Sequence, residues 1–261
     1  MDINKLRKAG KIHKDIKCCV KEYLDPKKSL LSICEFIENK INKNIDSEQL
    51  NGGIAFPTGV SIDNIAAHYT PLNRSLNVME INNDSVCKID FGVHIDGNIV
   101  DSALTICFNE EYNALLKASE EAVDTIIKNI GVDMKMHEIG TIASEIVESY
   151  EYDDKQLKVI DNLFGHNILP YKIHGGKFIP SIPNPQYLNK NAIIEDNDVL
   201  AIEVFVSNGS GTTYIDKNYK SSHFMVPNKD FLEKVPLFHS KKTKKLFKVI
   251  KNNFRTLPFC Q

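Results

Sequence analysis

The stretch CKIDFGVHIDGNIVDSALTICF, residues 87–108, decides the fold because it predicts one long β-hairpin. Both of its arms are rich in β-branched and aromatic residues, and Asp96-Gly97 between them is the strongest short signal for a hairpin turn. Successive side chains of a strand point to opposite faces, so the turn assigns every residue of both arms to a face. One face is almost entirely apolar and should pack on a core: Cys87, Ile89, Phe91, Val93, Val100, Leu104 and Ile106.

Two aspartates lie on the opposite face of the predicted hairpin. Counting outward from the turn, Asp90 pairs with Ala103, and Gly92 pairs with Asp101. Diagonal neighbours on two strands have Cβ atoms about 7 Å apart, so the two carboxylates can converge on one point. Carboxylates held together repel each other and are costly to desolvate, which favours a divalent cation as the counter-charge. The alternative is that both aspartates lie on an ordinary solvent-exposed face.

Composition restricts the class of protein. The 261 residues are 42% hydrophobic, which is enough for a substantial core in one large domain or two small ones. The formal net charge of -2 gives no overall field that attracts DNA or a membrane surface. The six cysteines show no CxxC spacing, and no apolar run approaches the roughly eighteen residues of a membrane span. We therefore expect a soluble, cytoplasmic protein without a disulfide framework.

Helical periodicity predicts two packed helices before the hairpin. The first covers residues 3–24 and is ended by Asp25-Pro26, and the second begins after Ser29 as its N-cap. The segment 51–71 then holds glycines and prolines among apolar residues. It is predicted to be a short strand that leads into a structured loop.

Two more helices are predicted after the hairpin. Asn109 can cap one over residues 110–130, and Asp133 can cap another that runs to about residue 150. We expect both of these helices to cover the apolar face of the hairpin. The order of helices followed by strands repeats in two halves, which predicts structural pseudo-symmetry without a sequence repeat.

The run VLAIEVFV, residues 199–206, is apolar on both faces except at Glu203. A strand of this composition is usually buried on both sides, and a buried glutamate needs a cationic partner. Together, Asp90, Asp101, His166 and Glu203 are hard or borderline ligands of the kind that bind a pair of divalent cations. Taken alone, His166 is better explained as an ordinary core or loop histidine than as a metal ligand.

The sequence KKTKKLFKVIKNNFRTLPFCQ, residues 241–261, is strongly basic. Its apolar residues recur at helical spacing, while lysines occupy the remaining surface. A solvated amphipathic helix is one interpretation, and a contact with ribosomal RNA is the other. The apolar stripe consists of Leu246, Val249, Ile250 and Phe254.

Five segments together resemble the successive motifs of methionine aminopeptidase type 2. They are GIAFPTGVSIDNIAAHYTP (53–71), the hairpin (87–108), GHNILPYKIHGGK (165–177), VLAIEVF (199–205) and SSHFM (221–225). Their order and spacing match over nearly the whole chain, and AAHYTP separates this type from type 1. The stretch ending in NNFRTLPFC resembles the start of a helical insertion peculiar to type 2. We therefore expect residues 1–261 to be a single catalytic-domain fragment in which that insertion begins over residues 240–261.

The resemblance implies an α/β (α+β) pita-bread fold. In that fold, two halves related by a pseudo-twofold axis, each with an antiparallel sheet covered by helices, cradle two metal ions. By motif, Asp90 would bind one ion, Asp101 would bridge both, and His166 and Glu203 would bind the second. The two divalent metal ions could be Mn, Co, Fe or Zn, since all four accept this ligand set.

The resemblance also assigns residues to catalysis and to substrate binding. His68 would contact the reacting amide, and the matching histidine of the family is the one that fumagillin-type epoxides alkylate. His174 would help to stabilise the tetrahedral intermediate. The pocket for the methionine side chain of the substrate, next to these two histidines, would be formed by Phe56, Ile173, His223 and Met225.

The implied activity is that of a metal-dependent methionyl aminopeptidase, which removes the initiator methionine from nascent proteins with a small second residue. A metal-activated water would attack the peptide carbonyl. The partners would be the N-termini of nascent polypeptides and the ribosome. The family has a further bridging glutamate, whereas the last acidic residue here is Glu233, so we expect a fragment truncated at its C-terminus, with weak metal binding and impaired activity.

Two alternatives remain beside this interpretation. One is a non-catalytic pita-bread binding module associated with the ribosome or RNA, although the four ligands before Glu233 are intact. The other is a prolidase-like or creatinase-like enzyme, which would share the metal ligands but differ around His68.

Overall fold

The computed structural model of the chain describes residues 1–45, 48–71, 79–183, 192–216, 222–233 and 240–260. Its helices are α1 (Ile3–Tyr23), α2 (Leu30–Asn44), α3 (Asn113–Asn129), α4 (Met136–Val147), α5 (Lys229–Glu233) and α6 (Lys241–Asn253), with a 3-10 turn at Glu110–Tyr112. Its strands are β1 (Gly52–Ile54), β2 (Gly59–Ile62), β3 (Cys87–Ile95), β4 (Asn98–Ile106), β5 (Glu151–Tyr152), β6 (Lys155–Gln156), β7 (Lys158–Val159), β8 (Phe164–Ile168), β9 (Phe178–Pro180), β10 (Val199–Ala201) and β11 (Val206–Ser207). Each strand pair among these elements is antiparallel.

The predicted hairpin is confirmed residue by residue. β3 and β4 pair so that Asp90 lies opposite Ala103, and Gly92 lies opposite Asp101. The two loop residues have φ angles of 46° and 76°, and the left-handed region is what a two-residue turn of this kind requires. β3 is the centre of a four-stranded sheet, because β1 and β2 pair with successive parts of its other edge.

The prediction of a single short strand in residues 51–71 is wrong, because this segment contributes both β1 and β2. β1 pairs with the end of β3 nearest the hairpin turn, and β2 pairs with the beginning of β3. Pro57 lies between the two strands. Proline has no amide hydrogen to donate to a sheet, which is consistent with an interruption at this point.

The apolar face of the hairpin packs on α1 and α2. Ile89, Phe91 and Val93 are fully buried in a cluster with residues of both helices. His13 of α1 stacks on the ring of Phe91 with centroids 4.0 Å apart, and its Nε2 lies 2.9 Å from the carbonyl oxygen of Phe91. The prediction that the two later helices cover this face is therefore wrong. An apolar stripe shows that a helix packs on something, but it does not identify the sheet.

α3 and α4 pack on each other and on the strands of the second half. α4 lies against β7 and β9, and α3 lies against β5 and β11. Ala122 of α3 and Val147 of α4 are buried in one cluster with Val159 of β7. The sequence order of two helices followed by strands is thus repeated in space.

The starts of these two helices differ from the predicted ones. Asn109 caps the 3-10 turn, and α3 follows that turn. α4 does not begin at Asp133, whose φ of 70° lies in the left-handed region. Instead, the carboxylate of Glu138 accepts a hydrogen bond from the backbone N–H of Lys135 at 3.2 Å, which fixes the first turn of the helix.

The run 199–206 is not one continuous strand, as the sequence predicts, but two short strands with a break between them. β10 pairs with β8, whereas β11 pairs with β7, so the chain changes partner between the two strands. Glu203 lies in the break. The apolar composition reflects burial on both sides, but it carries no signal for the change of partner.

A small apolar cluster joins the two halves of the molecule. Its members come from the first half, the second half and the segment after α6: Ala55, Phe56, Ile99, Ile168, Ile173, Ala201 and Leu257. Across the same boundary, the backbone N–H of Tyr171 donates to the carbonyl oxygen of Gly97 at 2.9 Å. The candidate site lies at this boundary.

α6 forms the predicted amphipathic helix, and it has no buried residue. Leu246 and Val249 of its apolar stripe are 60% and 46% exposed. Among the described residues, no helix has both the length and the apolar character needed to cross a membrane. All six cysteines are free thiols.

Candidate metal centre

Three of the four predicted metal ligands come together at the boundary between the halves. Asp101, His166 and Glu203 each offer a ligand atom, and these atoms lie within 4.8 Å of one another. Nε2 of His166 is 3.6 Å from Oδ2 of Asp101 and 3.1 Å from Oε1 of Glu203. The imidazole is buried, and the Asp101 carboxylate is only 10% exposed. One half therefore supplies Asp101, and the other supplies His166 and Glu203.

The local structure explains how the second half presents its ligands. His166 lies on β8 opposite Ala201 of β10, and Glu203 follows β10 where the chain leaves that sheet. Gly165 allows the two strands to approach closely, because a Cβ atom there would lie 2.5 Å from the carbonyl oxygen of Ala201. The break in the run 199–206 thus places the Glu203 carboxylate beside the imidazole.

Asp90, the fourth predicted ligand, lies outside this three-residue group but within its electrostatic range. Oδ1 of Asp90 is enclosed and has no hydrogen-bond partner. Burial, followed by the charge of Glu203, raises the pKa of Asp90 to about 7. Burial, followed by the charges of Asp90 and Glu203, raises the pKa of Asp101 well above its usual range.

The donor set fits divalent cations. Enclosed carboxylates with raised pKa values and an oxygen without a partner indicate a site that lacks positive charge. A cation would reverse these shifts, because a positive charge favours the ionised form of a carboxylate. Carboxylate oxygens and an imidazole nitrogen also match the ligand types that Mn, Fe, Co and Zn accept.

His174 lies against the metal-ligand group. Its ring meets the ring of His166 edge to face, with centroids 4.5 Å apart. Burial, followed by the neighbouring His166 and His68, lowers the pKa of His174 to about 4. His174 is therefore neutral at physiological pH and can donate one hydrogen bond from its ring.

His68 and His223 form a second pair of histidines, with ring centroids 5.6 Å apart. The Thr70 hydroxyl donates its hydrogen to the carbonyl oxygen of Thr58 at 2.7 Å, so it must accept from Nε2 of His223, also at 2.7 Å. This bond assigns the Nε2–H tautomer to His223. Burial, followed by His68, lowers the pKa of His223 to about 4, so this ring is neutral as well.

Ser222 connects the two histidine-bearing segments in the same way. Its hydroxyl accepts from the backbone N–H of Thr70 at 3.1 Å and donates to the carbonyl oxygen of His68 at 3.3 Å. Thr70 and Ser222 are not among the site residues predicted from the sequence. Both residues lie inside the motifs that carry the resemblance, but their pairing across the chain has no local signal.

The predicted substrate pocket is only partly assembled. Phe56 and Ile173 share the buried cluster at the boundary. His223 is bound to the segment around His68, and Met225 is 46% exposed. The structure therefore brings Phe56 and Ile173 together and leaves Met225 outside their cluster.

Asn167 is a further residue near the site that was not predicted from the sequence. Its side-chain oxygen accepts from the backbone N–H of Lys177 at 2.9 Å, and its carbonyl oxygen accepts from the backbone N–H of Gly175 at 2.7 Å. A Cβ atom at Gly175 would lie 2.4 Å from the same side-chain oxygen, so the glycine leaves room for the asparagine. Together these contacts hold the loop that carries His174.

Comparisons with known proteins agree with this geometry. The model of metallopeptidase family M24 matches residues 4–225. Methionine aminopeptidase 2A of Arabidopsis thaliana is 39% identical over 262 residues, and methionine aminopeptidase 2 of Komagataella phaffii is 37% identical over the same length. Both alignments cover 99% of this chain but only 57% of the relative, so the chain spans little more than half the length of these proteins.

Solved structures share the fold. A methionine aminopeptidase from Thermotoga maritima superposes with a TM-score of 0.68 at 22% identity, covering 83% of this chain and 84% of that one. A thermophilic Arx1 superposes with a TM-score of 0.77 at 20% identity, covering 98% of this chain and 75% of that one. The pita-bread fold predicted from the sequence is confirmed, as is the similarity to methionine aminopeptidase type 2.

Proposed function

The chain belongs to metallopeptidase family M24, and from this membership we propose that it is a methionine aminopeptidase of type 2. Its substrates would be the N-termini of nascent polypeptides that begin with methionine and have a small second residue. It would act in the cytoplasm, with the ribosome as a neighbour, and residues 1–261 would form one catalytic unit. The observation that carries the proposal is the convergence of Asp101, His166 and Glu203 from two halves of the chain.

The ligand set supports two divalent cations, Mn, Co, Fe or Zn. Asp101 would be shared between them, Asp90 would bind one, and His166 and Glu203 would bind the other. Divalent cations at such a site lower the pKa of a bound water towards neutrality and polarise a peptide carbonyl.

The remaining histidines would bind and orient the substrate. A neutral His174 can donate a hydrogen bond to the oxygen on which negative charge develops. His68 would contact the reacting amide, and its segment is held in place through Thr70 and Ser222. The methionine side chain would lie against Phe56 and Ile173, with His223 and Met225 completing the pocket.

Slow turnover is part of the proposal. Four protein ligands, Asp90, Asp101, His166 and Glu203, are few for two cations that each prefer four to six. We therefore expect weak metal binding and release of methionine that is measurable with the protein in excess over peptide.

The experiment is to measure free methionine released from a Met-Ala-Ser peptide with saturating Mn²⁺ or Co²⁺. Release should depend on the metal, and Asp101→Ala should abolish it. A Leu-Ala-Ser peptide and a Met-Pro dipeptide serve as controls for the first side chain and for prolidase-like activity. If methionine release does not exceed that of the Asp101→Ala variant, or if the leucine peptide is cleaved equally well, the proposal fails.

A second candidate function is that of a non-catalytic module that binds ribosomal RNA. The observation that favours it is α6, where six lysines lie on a helix without a buried residue. Such a helix would bind phosphates with an affinity that falls steeply with salt. Fluorescence anisotropy with a ribosomal RNA hairpin would test this. Replacing Lys241, Lys244, Lys245 and Lys248 by alanine should weaken binding, and an unchanged affinity would exclude the helix as the binding surface.

A further inference from the structure

Two loop tips, one from each half, meet at the boundary between the halves, where the candidate metal centre also lies. The first is the turn between β3 and β4, and the second is the loop 169–177 between β8 and β9. The backbone N–H of Tyr171 in the second loop donates to the carbonyl oxygen of Gly97 at 2.9 Å. The Tyr171 hydroxyl donates to the carbonyl oxygen of Leu50 at 2.7 Å, just before β1. One residue of the second half is thus bonded to two backbone segments of the first.

The hairpin turn is shaped to receive this tyrosine. A Cβ atom at Gly97 would lie 2.2 Å from the ring of Tyr171, so the ring rests on the backbone of the turn. The backbone N–H of Gly97 donates to Nδ1 of His94 at 3.2 Å, and the ring of His94 lies 6.0 Å from that of Tyr171. The glycine that makes the turn possible therefore also makes the close contact possible.

A third chain segment, residues 255–257, also contacts this part of the boundary. The hydroxyl of Thr256 donates to the carbonyl oxygen of Tyr171 at 2.5 Å. The guanidinium group of Arg255 lies 5.5 Å from the centroid of the tyrosine ring. Leu257, which follows, is fully buried in the cluster that contains Ile173. The amide, carbonyl, hydroxyl and ring of Tyr171 are all engaged.

The backbone of Tyr171 is also unusual. Its φ of 59° lies in the left-handed region, which is rarely populated by a bulky aromatic residue. Reciprocal backbone hydrogen bonds between Leu169 and Lys172, of 3.0 and 2.8 Å, close the tight turn that imposes this conformation. Such conformations persist where the surrounding structure fixes them, and they are concentrated near functional sites.

We propose that Tyr171 is a positioning residue that sets Asp101 of the first half against His166 and Glu203 of the second. Asp101 lies a short way along β4 from Gly97, and His166 lies a short way back along β8 from Tyr171. A shift between the two loop tips therefore changes the distance between the ligands. The inference rests on the metal binding that the proposed function requires, but not on catalysis.

The test is the affinity of the full chain for Mn²⁺, measured by titration calorimetry on three variants. Tyr171→Phe removes only the bond to Leu50, and Tyr171→Ala also removes the ring. Tyr152→Phe is the matched control, since its hydroxyl bonds to Glu111 within the second half at 2.9 Å. We expect the affinity to fall several-fold for Tyr171→Phe and by about tenfold or more for Tyr171→Ala, as for residues that orient ligands elsewhere. Tyr152→Phe should bind like the unsubstituted chain.

The midpoint of thermal unfolding separates positioning from a general loss of structure. Tyr171→Phe should unfold within a few degrees of Tyr152→Phe while binding Mn²⁺ more weakly. If both variants bind Mn²⁺ equally, the inference is overturned and the metal site of the proposed function is left standing.

Hydrogen exchange of the metal-free protein provides a readout that needs no cation, so the inference can be judged even if the chain binds none. The backbone N–H of Tyr171, which bonds to Gly97, should exchange faster in Tyr171→Phe than in Tyr152→Phe. The N–H of Val93 in the centre of β3 should be unchanged in both variants. Equal protection of the Tyr171 N–H in the two variants would overturn the inference.

Discussion

The two halves of the molecule share an order of elements but differ in how their sheets are built. The first half has one four-stranded sheet whose central hairpin has arms of nine residues. The second half divides its strands, none longer than five residues among those described, into three small sheets. The metal-ligand group takes Asp101 from the long hairpin and His166 and Glu203 from the short strands. The long hairpin of the first half therefore holds Asp101 in place by itself. In the second half, the positions of His166 and Glu203 depend on loop contacts with the first half.

The largest difference in the effect of a substitution on stability should lie between one phenylalanine in each half. Phe91 is fully buried under α1, whereas Phe178 on β9 is 44% exposed. Phe91→Ala should lower the free energy of unfolding by about 3–5 kcal/mol because it leaves a cavity in the first half. Phe178→Ala is the control and should lower it by about 1 kcal/mol or less. Urea unfolding measures both, and equal losses would refute the contrast between the halves.

His13 in the first half should make a pH-dependent contribution to the free energy of unfolding. Burial lowers the pKa of His13 from 6.5 to about 4, so the unfolded chain binds more protons between these two values. The neutral histidine therefore contributes stability that is complete above pH 6.5 and is lost as the pH falls towards 4. At about 1.4 kcal/mol per pKa unit, the contribution is on the order of 3 kcal/mol.

His13→Gln tests this contribution, because glutamine retains a donor for the carbonyl oxygen of Phe91 and does not titrate. Urea unfolding should be measured for both proteins from pH 4 to pH 6.5. The free energy of unfolding of the unsubstituted chain should fall relative to that of the variant as the pH falls. A difference that is constant over this range would contradict the assignment.

Substitution by alanine at two glycines should change the stability of the protein in opposite directions. A Cβ atom at Gly10 in α1 would meet only Val100, at 4.0 Å, so Gly10→Ala should stabilise the protein by about 0.5–1 kcal/mol. At Gly175 a Cβ atom would clash with Asn167, so Gly175→Ala should destabilise it by about 1–3 kcal/mol. Adding Asn167→Ser should recover part of that loss, because the shorter side chain leaves space. Additive losses in the double variant, measured by thermal unfolding, would argue against the steric explanation.

The smallest effects should come from two ion pairs that differ in exposure. Lys5 and Asp96 lie 2.9 Å apart at the hairpin turn with side chains 41% and 44% exposed, so Lys5→Met should change the free energy of unfolding least of all these variants. Lys177 lies 2.7 Å from Asp198, whose side chain is 12% exposed, and Lys177→Met should cost about 1 kcal/mol. Urea unfolding in low and high salt should show a larger salt effect at the exposed pair. A larger salt effect at the Lys177–Asp198 pair would contradict this prediction.

The same contrast explains what could be predicted from the sequence. The register of β3 and β4 follows from Asp96-Gly97 and a period of two, since these strands are neighbours in the chain. No local pattern reveals that β10 and β11 pair with different strands. Likewise, the apolar stripes of α3 and α4 show that these helices pack, but not on which sheet.

The site shows the same limit. The types of Asp90, Asp101, His166 and Glu203 indicate a cation site, and three of these residues do converge. The contacts that arrange the surrounding histidines join residues more than a hundred positions apart, such as Thr70 with Ser222. Such contacts depend on the folded arrangement of distant segments, so composition and spacing cannot reveal them.

The central claim is that ligands from both halves bind the same cations. It is tested most directly by titrating Mn²⁺ into the unsubstituted chain, Asp101→Ala and Glu203→Ala in a calorimeter at neutral pH. We expect the unsubstituted chain to bind Mn²⁺ and each variant to lose about 100-fold or more in affinity, or about 2.7 kcal/mol, without unfolding. Binding that is equal in all three proteins, or absent from the unsubstituted chain, would contradict it.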